Sequence, residues 1–123
     1  METNSKKLME ALPSFDEFMG IANKIKELSI RKMRLENKIK ETESESFKEV
    51  MSNPKFYVNG KPVAVSFFEN AFKFTGIDGN LVLLRNELAD TQAELDEQRN
   101  LFEIYKQMHD LFKVLVYQER VFS

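Results

Sequence analysis

The sequence predicts a mainly α protein: an antiparallel two-helix coiled-coil hairpin with a small β-hairpin and a short helix at its tip. Three observations carry that expectation. Two long stretches each repeat apolar residues at alternating steps of three and four, the seam spacing of paired helices. The two stretches are opposed in charge, with seven bases against two acids from Lys24 to Lys40 and six acids against one base from Glu87 to Glu103. Segments so opposed are suited to lie against each other. Between them stands Asn59-Gly60, flanked by apolar, β-prone residues, the strongest short-range signal for a hairpin turn.

Taken in order, Asn4 to Leu12 predicts a short helix that Pro13 stops or redirects. Ser14 with Glu17 forms a capping box, in which the hydroxyl takes an orphan amide of the first turn and the carboxylate reaches back. It opens a helix over about 15–51, with Phe15, Phe18, Ile21, Ile25, Leu28, Leu35 and Ile39 along its seam. At 1.5 Å per residue such a helix is ~55 Å long and needs a partner along its side. The second long helix, over about 80–118, starts at Asn80 as N-cap and repeats the spacing through Leu81, Leu84, Leu88, Thr91, Leu95, Gln98, Phe102, Tyr105, His109, Phe112 and Val116. Folding back at the insert pairs Phe18 with Phe112, Ile25 with Tyr105, Leu28 with Phe102 and Leu35 with Leu95. The same register sets Lys32, the charged seam position of the first helix, opposite Gln98, and a buried polar pair of that kind fixes register at some cost in stability.

The insert, about 53–79, is too apolar for a bare loop. Phe56 to Val58 and Val63 to Val65 read as two short strands about the Asn-Gly turn, with Pro62 restricting the second to an edge. Ser66 with Glu69 then opens a short aromatic helix that Gly76 closes. The chain of 123 residues reads as one domain, 1–123.

Composition narrows the function. Eighteen bases against twenty acids leave a net charge of −2, so no global field draws the chain onto nucleic acid or an anionic bilayer. The absence of cysteine excludes a disulfide framework and a thiolate metal site, and favours a reducing compartment. No apolar run approaches the roughly 20 residues that span a bilayer. Met1 to Leu12 also lacks the apolar core of a signal peptide, so the expected location is cytoplasmic, with no membrane partner.

No catalytic, cofactor or metal site is expected. The single histidine, His109, falls at a seam position with no nucleophile near it in sequence. Glu87, Asp90, Glu94 and Glu97 share one helical face, but the Glu-x-x-His motif of helical di-metal sites is missing, so the row reads as solvated or lysine-facing. The glycines are scattered and form no phosphate loop.

Three groups remain as candidate contact sites. Apolar residues surround the terminal end: Phe15, Met19, Leu111, Phe112, Leu115, Val116 and Phe122 exceed what one facing helix covers, and predict a partner or self-interface. The aromatics Phe56, Tyr57, Phe67 and Phe68 at the tip either fill the cap or form a contact face. Lys24, Arg31, Arg34 and Lys38 in the basic stretch are suited either to the acidic helix or to phosphates.

Two helices joined through a β-turn in a chain of this length resemble the architecture of prefoldin subunits. That resemblance implies a role in holding unfolded clients between coiled-coil arms. No residue motif of that family is matched, and the helix opened by Ser66 departs from its plan. The expected function is a non-enzymatic protein–protein interaction protein, an assembly factor, adaptor or inhibitor, working through helical packing and self-association with a dimer favoured. The alternatives are a nucleic-acid-binding regulator using the basic helix 24–40 and a prefoldin-like chaperone.

Overall fold

The computed structural model describes residues 3–122. Four α-helices account for most of them: α1 (Asn4–Ala11), α2 (Phe15–Ser52), α3 (Val65–Ala71) and α4 (Asn80–Phe122). Short 3-10 turns stand at Pro54–Phe56 and Ile77–Gly79. The long helices α2 and α4 pack against each other, and the chain divides into two compact units. The terminal unit comprises Met1–Ser29 with Ala93–Ser123, and the inner unit comprises Ile30–Gln92.

In the terminal unit, α1 is capped by Thr3, whose hydroxyl accepts from the Lys6 amide at 3.2 Å. The Glu119 carboxylate reaches the same helix start, accepting from the Ser5 amide at 3.1 Å and from the Ser5 hydroxyl. An anion at the first turn satisfies orphan amides and complements the positive end of the helix dipole. After Pro13 the Ser14 capping box forms as the sequence predicts: its hydroxyl accepts from the Glu17 amide at 3.2 Å and donates to the Glu17 carboxylate at 3.3 Å. Leu28 and Leu95 are buried, and Ile21, Ile25, Tyr105, Met108 and Phe112 are half-buried.

The register of this unit differs from the one the seams predict. Phe18 meets Phe102, with ring centroids 4.7 Å apart, and not Phe112, so Leu28 does not face Phe102. Phe15 and Phe18 share a hollow with His109. The end of α4 is occupied by α1 through the Ser5–Glu119 contact, which leaves α2 to start farther back along α4. A heptad pattern alone permits such a displacement, because each step presents an equivalent apolar stripe. His109, expected in the seam, is exposed, while its neighbour Met108 is half-buried.

In the inner unit the seam continues through Leu35, Ile39 and Val50 of α2 and through Leu81 of α4, with Ser46 and Thr91 as small buried polar members. The insert builds a cluster on the end of α2. Val50, Val63 and Phe68 are its buried centre, with Met51, Phe56, Phe72 and Ile77 packed around them. Phe47 and Phe68 meet edge to face at 5.1 Å between centroids, and Phe56 and Phe72 at 5.7 Å, a favoured geometry for aromatic pairs.

The expected β-hairpin is not present: the described residues contain no strand, only an isolated antiparallel bridge between Val58 and Lys61. The turn itself is as predicted, with positive φ at Asn59 (52°) and Gly60 (75°) and with Val58 and Lys61 exchanging hydrogen bonds of 3.0 and 3.1 Å. Proline stops the ladder on both sides. Pro54 opens a 3-10 turn where the first strand would begin, and Pro62 has no amide to give the second.

Two helix starts also differ from expectation. The N-cap of α3 is Ala64, with no side-chain cap bond, and its carbonyl accepts from the Phe67 and Phe68 amides at 3.0 and 3.4 Å. The helix thus begins before Ser66, which leaves the Ser66–Glu69 pair inside it. Asn80 is the first residue of α4 and has helical backbone angles, because the tight turn Ile77–Gly79 delivers the chain already coiled. At its far end α4 runs to Phe122, beyond the predicted stop at 118.

Candidate interaction surfaces

Both units expose large apolar side chains. Of the seven residues predicted for a partner or self-interface, four are exposed: Phe15 (77%), Met19, Leu111 (50%) and Phe122 (83%). Phe112, Leu115 and Val116 are half-buried. Phe112 lies in line with the intramolecular seam, so its substitution would disturb the fold as well as a contact.

Sequence reasoning missed Ile104, which is 51% exposed, and gave little weight to Val114 and Val121, which are equally open. The signal that finds them is a second heptad phase on α4. Leu101, Ile104, Met108, Leu111 and Leu115 follow the three-four spacing beside the seam that faces α2. Ile104 and Leu101 also line a shallow hollow with Ala93, Asp96, Glu97 and Asn100.

In the inner unit the four tip aromatics separate by role. Phe68 is core, and Phe56 packs against it in the cluster. Tyr57 is half-buried and its hydroxyl donates to the Ser52 carbonyl at 3.3 Å. Phe67 is 46% exposed and meets Phe72 edge-on at 6.1 Å. The most exposed ring of the insert, Phe74, is covered on one face by the Arg85 guanidinium at 4.8 Å. Arg85 also donates to the Phe74 carbonyl at 2.9 Å and to the Lys73 carbonyl at 3.3 Å, and lies 3.9 Å from the Glu43 carboxylate. One side chain of α4 therefore fixes the end of the insert and touches α2.

A groove of about 360 Å³ opens beside that clamp. Phe47, Val65 and Phe68 line it with Ser44, and Lys40, Glu43, Glu69 and Lys73 complete its wall. Charges of both signs at the wall give it no preference for an anion or a cation.

The four candidate phosphate contacts, Lys24, Arg31, Arg34 and Lys38, are all exposed. Among the described residues the one ion pair of the basic stretch is Lys32 with Glu36 of its own helix, at 4.0 Å. Glu87, Asp90, Glu94 and Glu97 are exposed as well. Among the described residues there is no group of three or more His, Cys, Asp or Glu side chains placed to hold a metal ion, and no helix long and apolar enough to cross a membrane.

These features define a mainly α protein whose long helices pack together and which exposes apolar side chains along the later part of α4. No protein-family model matches the chain, and neither the curated proteins nor the solved structures contain a match.

Proposed function

We propose that the chain is a non-enzymatic interaction protein, an assembly factor, adaptor or inhibitor, that acts in the cytoplasm through helical packing and self-association. The observation that carries this reading is the row of apolar side chains on the later part of α4, with Ile104, Leu111, Val114 and Val121 each half open to solvent. Contiguous exposed apolar surface on a helix is the usual mark of a protein contact, met by another helix laying its own apolar face there. The test is cross-linking of the full chain in extract of its source cells, followed by mass spectrometry. Discrete cross-links that disappear in Leu111→Asp and Val121→Asp, and persist in Glu87→Gln, support the reading. An unchanged set of cross-links refutes it.

A second reading rests on Arg31, Arg34 and Lys38 in the inner unit, exposed and without an ion-pair partner among the described residues. It makes the chain a nucleic-acid-binding regulator held by phosphate contacts. Affinity should then fall steeply with salt, and Arg31→Glu with Arg34→Glu should abolish it. Binding that is absent or indifferent to salt removes this reading.

A further inference from the structure

Asn59 and Gly60 are a chemically reactive pair set in a turn that little holds closed. The asparagine side chain ends in a carbonyl whose amine can leave, and glycine has no Cβ to crowd its own amide nitrogen. Side by side they are suited to cyclise, the Gly60 nitrogen attacking the Asn59 side-chain carbon. Nothing around them obstructs the encounter. Both residues are exposed, and no atom lies within 4 Å of a Cβ built on Gly60. Neither the Asn59 side chain nor the Gly60 amide has a hydrogen-bond partner among the described residues. The turn is closed by the Val58–Lys61 bridge alone, through bonds of 3.0 and 3.1 Å, and no strand continues it among the described residues. A bridge so small and so exposed opens locally at little cost. The other asparagines are held differently: Asn53 precedes Pro54, which has no amide hydrogen, and the rest lie within α-helices, whose backbone bonds cyclisation would break. Asp78-Gly79, at the far end of the insert, has no side-chain amine to lose.

We propose that Asn59 is a site of spontaneous modification, and that its conversion to isoaspartate undoes the turn at the tip of the insert. A base in solvent takes the proton of the Gly60 amide, whose nitrogen bonds to Asn59 Cγ. The Cγ–Nδ2 bond breaks, and the departing nitrogen takes up a proton and leaves as ammonia. The product is a cyclic imide joining residues 59 and 60. Water then adds to one of its two carbonyl carbons and the bond from that carbon to the ring nitrogen breaks, the nitrogen regaining its proton. Opening at Cγ leaves aspartate. Opening at the main-chain carbon leaves isoaspartate, with the chain now running through Cβ and Cγ. No electrons change hands, and water is the sole co-reactant.

The two products act differently on the fold. Aspartate keeps the turn, since Asp-Gly suits the same pair of positive φ values. Isoaspartate adds a methylene to the backbone between Val58 and Lys61, and so displaces the partners of both bonds that close the turn. The disturbance reaches the core of the inner unit, because Phe56 and Val63, on either side of the turn, belong to the cluster around Val50 and Phe68. The tip of the insert therefore keeps a chemical record of age: the older fraction of the protein carries a looser insert and one more negative charge beside Lys61.

The experiment incubates the full chain, folded, at mildly alkaline pH and follows each asparagine by peptide mass spectrometry, with fragmentation that separates aspartate from isoaspartate. Asn59 should convert at least about tenfold faster than any other asparagine, with isoaspartate the larger share of the product. Gly60→Ala should slow the conversion at least about tenfold although it strains the turn, because the added methyl crowds the attacking nitrogen. Hydrogen exchange of the isoaspartate fraction should be faster than that of the fresh chain at residues 56–63. Asn59→Asp, which adds the charge and keeps the ordinary backbone, should exchange there as the fresh chain does. An Asn59 that converts no faster than the helical asparagines, a conversion indifferent to Gly60→Ala, or an isoaspartate fraction with unchanged exchange at 56–63 overturns the proposal.

Discussion

Gly76→Ala should be the most damaging single-methyl change in the insert. Gly76 has φ 74° and ψ −179°, a backbone region that side chains other than hydrogen scarcely enter. A Cβ built there would lie 1.8 Å from Asn80 Oδ1 and 3.0 Å from both Leu81 Cγ and the Leu81 amide nitrogen. Asn80 is exposed and its amide can swing away, but Leu81 is fully buried and its amide donates to the Thr75 carbonyl at 3.0 Å. Backbone strain of about 1–3 kcal/mol adds to an overpacking cost of similar size at Leu81, giving about 2–6 kcal/mol in all.

Gly60→Ala is the control. It also has positive φ, 75°, but nothing lies within 4 Å of its added Cβ. It should cost only the left-handed penalty of about 1–2 kcal/mol. Urea unfolding of both variants, compared at equal m values, reads the difference. Hydrogen exchange should place the Gly76→Ala loss at residues 75–81. If Gly76→Ala costs no more than Gly60→Ala, the reasoning that Leu81 is held against the Gly76 turn is refuted.

Other changes test separate parts of the structure. Gly20→Ala, on an exposed position inside α2 with open space around its Cβ, should stabilise the chain by about 0.5–1 kcal/mol, seen as a higher urea midpoint at unchanged m. Arg85→Ala removes two hydrogen bonds to the insert and the cover on Phe74, and should cost about 1.5–3 kcal/mol by the same assay. Arg85→Lys should recover little, since an ammonium cannot reproduce the planar fork. Glu119→Gln should loosen α1 by about 1–2 kcal/mol, read as faster amide exchange at residues 4–11 with the inner unit unchanged. Leu95→Ala, at a fully buried site, should cost about 2–5 kcal/mol in thermal or urea unfolding.

Much of this architecture is legible locally. Ser14 with Glu17 marks the start of α2, Asn59-Gly60 marks a turn with two positive φ values, and the alternating spacing marks two helices that need a partner. Each signal lies within a few residues of what it determines, so the chain itself suffices to state it. Site prediction went less far. Four of the seven terminal residues are open, and Phe112, which the spacing places in the seam as well, is half-buried.

The sequence by itself determined the helical class, the two long helices, the tight turn and the apolar excess at the chain ends, since all of these follow from residue type at short spacing. Tertiary structure alone decided the register in the terminal unit, where Phe18 meets Phe102 and not Phe112. It also decided that Arg85 locks the insert to α4. The physical reason is common to both. A seam of repeated apolar steps is satisfied equally well three steps along, and an arginine finds its carbonyls only after distant segments have packed. Each outcome depends on which of several locally equivalent arrangements buries the most surface while leaving the fewest polar groups unpaired.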